Sequence, residues 1–172
     1  MKGIELVAEL MAISATTAPK AKGENFIQIK ILKGPDLKKL ANGMISFGKK
    51  VKKKDFDRDG KSVENSEVVV LIGIRKAPAG GLNCGACGFP SCSELLKQKS
   101  PKAEFKGPTC ALRILDMGIA LGSAVKTAGM LNVDNRIMYR IGAAVRHMKW
   151  VDWDYVMGIP LSTTGKNIYF DR

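Results

Sequence analysis

Val68-Val69-Val70-Leu71-Ile72-Gly73-Ile74 contains no polar side chain. A strand with one wet face alternates apolar and polar residues, whereas a run that is apolar on both faces reads as a strand buried on both sides. The stretch therefore predicts the central strand of a sheet covered by helices, and with them an α+β fold.

Upstream of this strand, residues 52–66 are rich in charge and read as a loop. Before them, Pro35 and Asp36 suit the first turn of a helix whose inner face carries Leu37, Leu40, Met44, Phe47 and Val51. Ile27, Ile29 and Ile31 alternate with Gln28 and Lys30, the period of a half-buried strand. Ile4, Val7, Ala8, Met11, Ser14 and Ala15 fall at helical spacing over residues 4–17, and this helix stops near Pro19. Downstream comes a glycine- and cysteine-rich segment from Pro78 to Cys110. Two helices, at about 110–131 and 135–149, and a short strand from Tyr155 to Leu161 complete the chain. The reading is one domain over residues 1–172, with a metal-binding segment embedded at about 78–112.

All four cysteines lie in that segment, as C-x2-C-x4-C-x17-C at Cys84, Cys87, Cys92 and Cys110. A [4Fe–4S] cubane needs one thiolate for each iron, and three close ligands with a later fourth supply them. Gly85 and Gly88 allow a tight wrap that turns N–H groups towards sulfur. Zinc is the competing metal, but four-cysteine zinc sites usually arrive as two C-x2-C-like pairs, and here there is one. Redox-active or free thiols are the remaining alternative. The spacing also differs from the bacterial ferredoxin run.

Asn83-Cys84-Gly85-Ala86-Cys87-Gly88-Phe89-Pro90-Ser91-Cys92, with Cys110 downstream, resembles the [4Fe–4S] module of membrane electron-transport complex B subunits and corrinoid iron–sulfur proteins. That resemblance implies that Cys84, Cys87, Cys92 and Cys110 are the cluster ligands. Asp134-Asn135-Arg136 and the stretch from Gly158-Ile159-Pro160-Leu161-Ser162 to Phe170-Asp171-Arg172 resemble a prokaryotic family of ferredoxin-domain-containing proteins whose role is not established. Ala18-Pro19-Lys20-Ala21-Lys22-Gly23 before a strand is similar to a stretch of the flavin nitroreductases, as is Asp116-Met117-Gly118-Ile119-Ala120 at the start of a small-residue helix. This second resemblance implies a nitroreductase-like sheet-and-helix fold, a homodimer, and FMN as a further cofactor. The arginine-serine-arginine start that grips the flavin phosphate in that family has no counterpart here.

The net charge is +12 with one histidine. Such a balance suits acidic partners, or simply a solvated lysine-rich surface. An acidic redox partner protein is the expectation; at 6% aromatic content, a stacking platform for nucleic acid is poorly supported. Lys49, Lys50, Lys52, Lys53 and Lys54 form the densest basic run, at a helix end where they offset the dipole or serve as a docking patch. No apolar run approaches the roughly 20 residues of a membrane span, and the N-terminus lacks a secretory pattern, so a cytoplasmic protein is expected.

Other patterns are set aside. Asp55, Asp57, Asp59 and Gly60 open like a calcium loop, but Ser66 stands at the twelfth position, and a solvated turn is the reading. Gly158 and Gly165-Lys166 miss the phosphate-loop spacing. His147, Trp150 and Trp153 are read as surface or packing residues, and Asp134 as a helix cap.

Overall fold

The computed structural model describes residues 2–170, so Asp171 and Arg172 lie outside the described residues. The chain runs α1 (Lys2–Thr17), β1 (Ile27–Lys33), α2 (Pro35–Val51), α3 (Phe56–Glu64), β2 (Val68–Ile74), α4 (Cys92–Leu96), α5 (Ala111–Met130), β3 (Asp134–Asn135), α6 (Tyr139–His147) and β4 (Tyr155–Ser162). The strands form one sheet in the order β1-β2-β4-β3, and every neighbouring pair is antiparallel.

β2 lies between β1 and β4 and is buried along its whole length, as its composition requires. Its side chains alternate between two apolar layers. Val68, Val70, Ile72 and Ile74 pack with Ile4, Ala8, Met11 and Ala15 of α1 and with Met117, Ala120 and Ala124 of α5. Val69 and Leu71 face the opposite layer, which holds Leu40 and Met44 of α2, Phe56 and Val63 of α3, and Ile141 and Val145 of α6. Helices therefore cover both faces of an antiparallel sheet.

Two close approaches fix the second layer. A Cβ at Gly142 would stand 1.8 Å from the Val156 carbonyl oxygen, so α6 sits directly on β4. A Cβ at Gly48 would stand 2.3 Å from Phe56 Cβ, which holds α3 against α2.

Residues 56–64 correct the expectation of a charged loop and a solvated turn. They form α3, because Phe56, Gly60 and Val63 share one face and Asp59 is neutralised. Asp59 is buried and accepts from Arg58 at 2.8 and 2.9 Å and from Arg140 at 2.8 Å. Asp134 does not cap α6, whose N-cap is Met138; it accepts instead from Asn167 at 2.8 Å. Trp153 is buried and Trp150 half-buried, while His147 is exposed and stacks on Phe47 at 4.5 Å.

Candidate metal centre

The cysteine segment leaves the end of β2 beside the start of β4. Asp154, just before β4, gathers both limbs of the excursion. Its carboxylate accepts the Lys76 N–H, and its main-chain oxygen accepts the Lys106 N–H at 2.9 Å. The Lys106 ammonium adds an ion pair at 3.3 Å. The loop is thus closed at its neck by one residue.

Within the loop, Gly81, Asn83, Gly85 and Gly88 all take positive φ, the conformation that wraps a chain tightly. Asn83 carries this at φ +48° and accepts the Cys92 N–H on Oδ1 at 2.9 Å, tying the start of the wrap to its end. Ser91 caps α4 by accepting the Glu94 N–H at 3.2 Å, which sets Cys92 on the first turn. Cys110 immediately precedes α5, whose first residue is Ala111.

All four cysteines line one cavity, together with Gly80, Leu95 and Leu112. Cys110 is buried at its base, Cys87 and Cys92 are half-buried, and Cys84 is exposed. The Ala111 N–H approaches Cys87 Sγ at 3.2 Å, and the Gly80 N–H approaches Cys110 Sγ at 3.4 Å. Burial would push the Cys110 thiol up, but N–H groups of Gly80, Arg113 and Leu112 and the Cys87 thiol outweigh it and hold Cys110 below the usual range. Among the described residues, no three His, Cys, Asp or Glu side chains surround one point closely enough for a single ion. The fit to an iron–sulfur group is carried by the four-thiol donor set and by N–H groups directed at two of its sulfurs.

The surroundings are basic. The excursion carries Arg75, Lys76, Lys97, Lys99, Lys102 and Lys106 against Glu94 and Glu104. The lysine run at the end of α2 lines an open cavity of about 490 Å³ with Phe56 and Asp57. Lys53 pairs with Glu104 at 2.9 Å and borders a second cavity of about 440 Å³ that reaches Lys102 on the approach to Cys110.

Sequence reasoning misses Asn83 as a loop tie, Asp154 as the neck, and the pair Arg113 and Asp116. A signal for the pair does exist. Arg113 and Asp116 fall on the same helical stripe as Met117, Ala120 and Ala124, and charges on an apolar stripe imply a buried partner.

The family model described as "Putative Fe-S cluster" matches residues 81–98, which include Cys84, Cys87 and Cys92. The model described as "Uncharacterized protein containing a ferredoxin domain" matches residues 106–172, which include Cys110. An "Uncharacterized protein" of Archaeoglobus fulgidus is 48% identical over 171 residues, covering 99% of this chain and 92% of that one. Among solved structures, the FMN-dependent nitroreductase NfnB from Mycobacterium smegmatis, in complex with NADPH, matches with a TM-score of 0.63 at 11% identity, over 94% of this chain and 78% of that one. A nitroreductase with bound FMN from Desulfitobacterium hafniense matches with a TM-score of 0.60 at 10% identity, over 93% and 78%. A nitroreductase family protein from Clostridium novyi matches with a TM-score of 0.57 at 14% identity, over 94% and 77%. At such identities the likeness is one of fold, and the nitroreductase-like sheet-and-helix expectation holds. With a near full-length relative and a ferredoxin-domain model over its C-terminal part, the chain belongs to the family of uncharacterized proteins containing a ferredoxin domain.

Proposed function

We propose that this protein holds one [4Fe–4S] cluster through Cys84, Cys87, Cys92 and Cys110 and passes single electrons between partners. The observation that carries the reading is the lining of one surface cavity by all four cysteines, graded from buried Cys110 to exposed Cys84. When bound, the cluster supplies a one-electron couple, and an exposed edge keeps the transfer path to a partner short. The N–H groups of Gly80 and Ala111 offset negative charge on the sulfurs. The basic excursion suits an acidic redox protein, with association that weakens as salt rises. The chain reads as one domain with the cluster segment embedded at 78–112.

The test is anaerobic protein examined by visible absorption and paramagnetic resonance before and after dithionite. Bleaching with a new one-electron signal supports the reading; a metal without a redox couple leaves a structural four-thiolate site, zinc being the prime case.

A second reading is a flavin-dependent oxidoreductase fed by the cluster, favoured by the fold shared with an FMN-dependent nitroreductase and with a nitroreductase that has FMN bound. FMN that copurifies, or that binds to anaerobic protein, supports it. Exposed Leu6, Leu10 and Ile13 of α1 and Leu115 and Ile119 of α5 give a second copy an apolar face to cover. Light scattering on the purified protein decides between monomer and homodimer.

A further inference from the structure

We propose that Arg113 and Asp116 are a buried charge pair that sets the electron affinity of the cluster site, with Arg113 also holding the mouth of the cysteine loop. The proposal rests on the reading of the four cysteines as cluster ligands.

Arg113 lies on the first turn of α5, and its N–H bonds the Cys110 carbonyl oxygen at 3.0 Å. Its side chain is only 2% exposed. The guanidinium donates to the Pro78 carbonyl oxygen at 3.2 Å, to the Ala21 carbonyl oxygen at 3.2 Å, to Asp116 at 3.3 Å and to Glu24. It also lies over the Phe26 ring at 4.7 Å. Asp116 accepts the Ala21 N–H on its other oxygen at 2.8 Å. Three separate segments therefore meet at this pair: the turn before β1, the entry of the cysteine loop, and the helix that follows the last cysteine.

Entry and exit of the loop are joined twice over. Pro78 is held by the Arg113 side chain, and Gly80, two residues on, donates to Cys110 Sγ at 3.4 Å. Moving Arg113 would leave the Gly80 contact as the remaining one of these two ties between the loop entry and Cys110.

Stability alone is a weak reason for such a pair, since apolar residues of similar volume commonly serve as well. The neighbours on this stripe, Met117 and Ala120, are apolar. The electrostatic consequence is more specific. Reduction of a [4Fe–4S]2+ cluster to [4Fe–4S]+ adds one electron and no bond changes. In a medium of low dielectric constant, a nearby cation favours that added charge and a nearby carboxylate opposes it. Arg113 then opposes Asp116, its buried partner, and the exposed Glu24 on one equilibrium, with the exposed carboxylate screened by solvent.

The test compares wild type, Arg113→Gln and Asp116→Asn, each loaded with iron and sulfide without oxygen. Dithionite supplies the electron in a potentiometric titration followed by paramagnetic resonance. Gln keeps a donor for Pro78, and Asn keeps an acceptor for the Ala21 N–H. The expected result is a midpoint shifted negative in R113Q and positive in D116N. Each shift is about a tenfold change in electron affinity, or about 59 mV for a one-electron couple. A loosened loop would move both in the same direction, so shifts of equal sign, or none, overturn the proposal. If R113Q fails to load, Arg113→Lys, which keeps the cation, replaces it and is expected near the wild-type midpoint; a positive shift there matching that of D116N overturns the proposal. A wild type that takes up no cluster fails at iron analysis, before any titration, and overturns the proposal together with the ligand reading. A loaded, redox-active wild type with unmoved variants overturns the proposal only.

Discussion

The N–H of Ala111 points at the sulfur of Cys87 from 3.2 Å. Ala111 opens a helix of 20 residues, so the positive end of a long helix dipole faces this thiol. Cys110, the residue before Ala111, offers its own sulfur to Gly80. Two thiols from different parts of the loop are thereby held against one helix end, each with a backbone N–H directed at its sulfur.

Replacing either of these cysteines is expected to cost most. Cys87→Ala and Cys110→Ala should each reduce iron from about four per chain to a minor fraction of chains. Cys84→Ser, at the exposed rim, should retain more iron and lose it faster in air. Iron per protein after anaerobic loading checks this. Equal retention in all three variants would contradict the role given to the end of α5.

Asp59 is buried and bonded to two arginines. Asp59→Ala leaves Arg58 and Arg140 facing a lost partner and is expected to destabilise the fold by about 3 kcal/mol. Urea unfolding measures it. A loss under about 1 kcal/mol would mean that α3 does not depend on this neutralisation.

At Gly142 the backbone of β4 leaves no room for a methyl group. Gly142→Ala must push α6 from the sheet and is expected to cost about 3 kcal/mol, although alanine favours helix elsewhere. Gly118→Ala, on the open face of α5, serves as the control and should be neutral or stabilising.

The Thr163 hydroxyl, at 2.6 Å, holds the Glu67 carboxyl below the usual carboxylate range. A lowered folded value means stability that is complete above the unfolded value and is lost as pH falls through the folded one. Thr163→Val should therefore lower stability by about 1 kcal/mol at neutral pH and by much less once Glu67 is protonated. Unfolding of chelator-treated protein at pH 7 and pH 3 checks the sign.

How much of this is legible in the sequence follows from where each residue finds its partners. β2 is readable because both of its faces are buried, a property written in seven consecutive residues. The four cysteines are readable because three of them sit within one short loop. α3 is not readable, because five of its nine residues are charged. What makes it a helix is Arg140, 81 positions away from Asp59. The surroundings of the cysteines fail for the same reason. Arg113 bonds residues 35 and 92 positions distant, and Lys76 meets Asp154 across 78. Local periodicity carries the donor set, and tertiary partners carry everything that holds it in place.

The most direct measurement is iron and acid-labile sulfide on protein purified without oxygen. A [4Fe–4S] cluster on the four cysteines gives about four of each per chain. Zinc without sulfide, or neither metal nor sulfide after anaerobic loading, would contradict it.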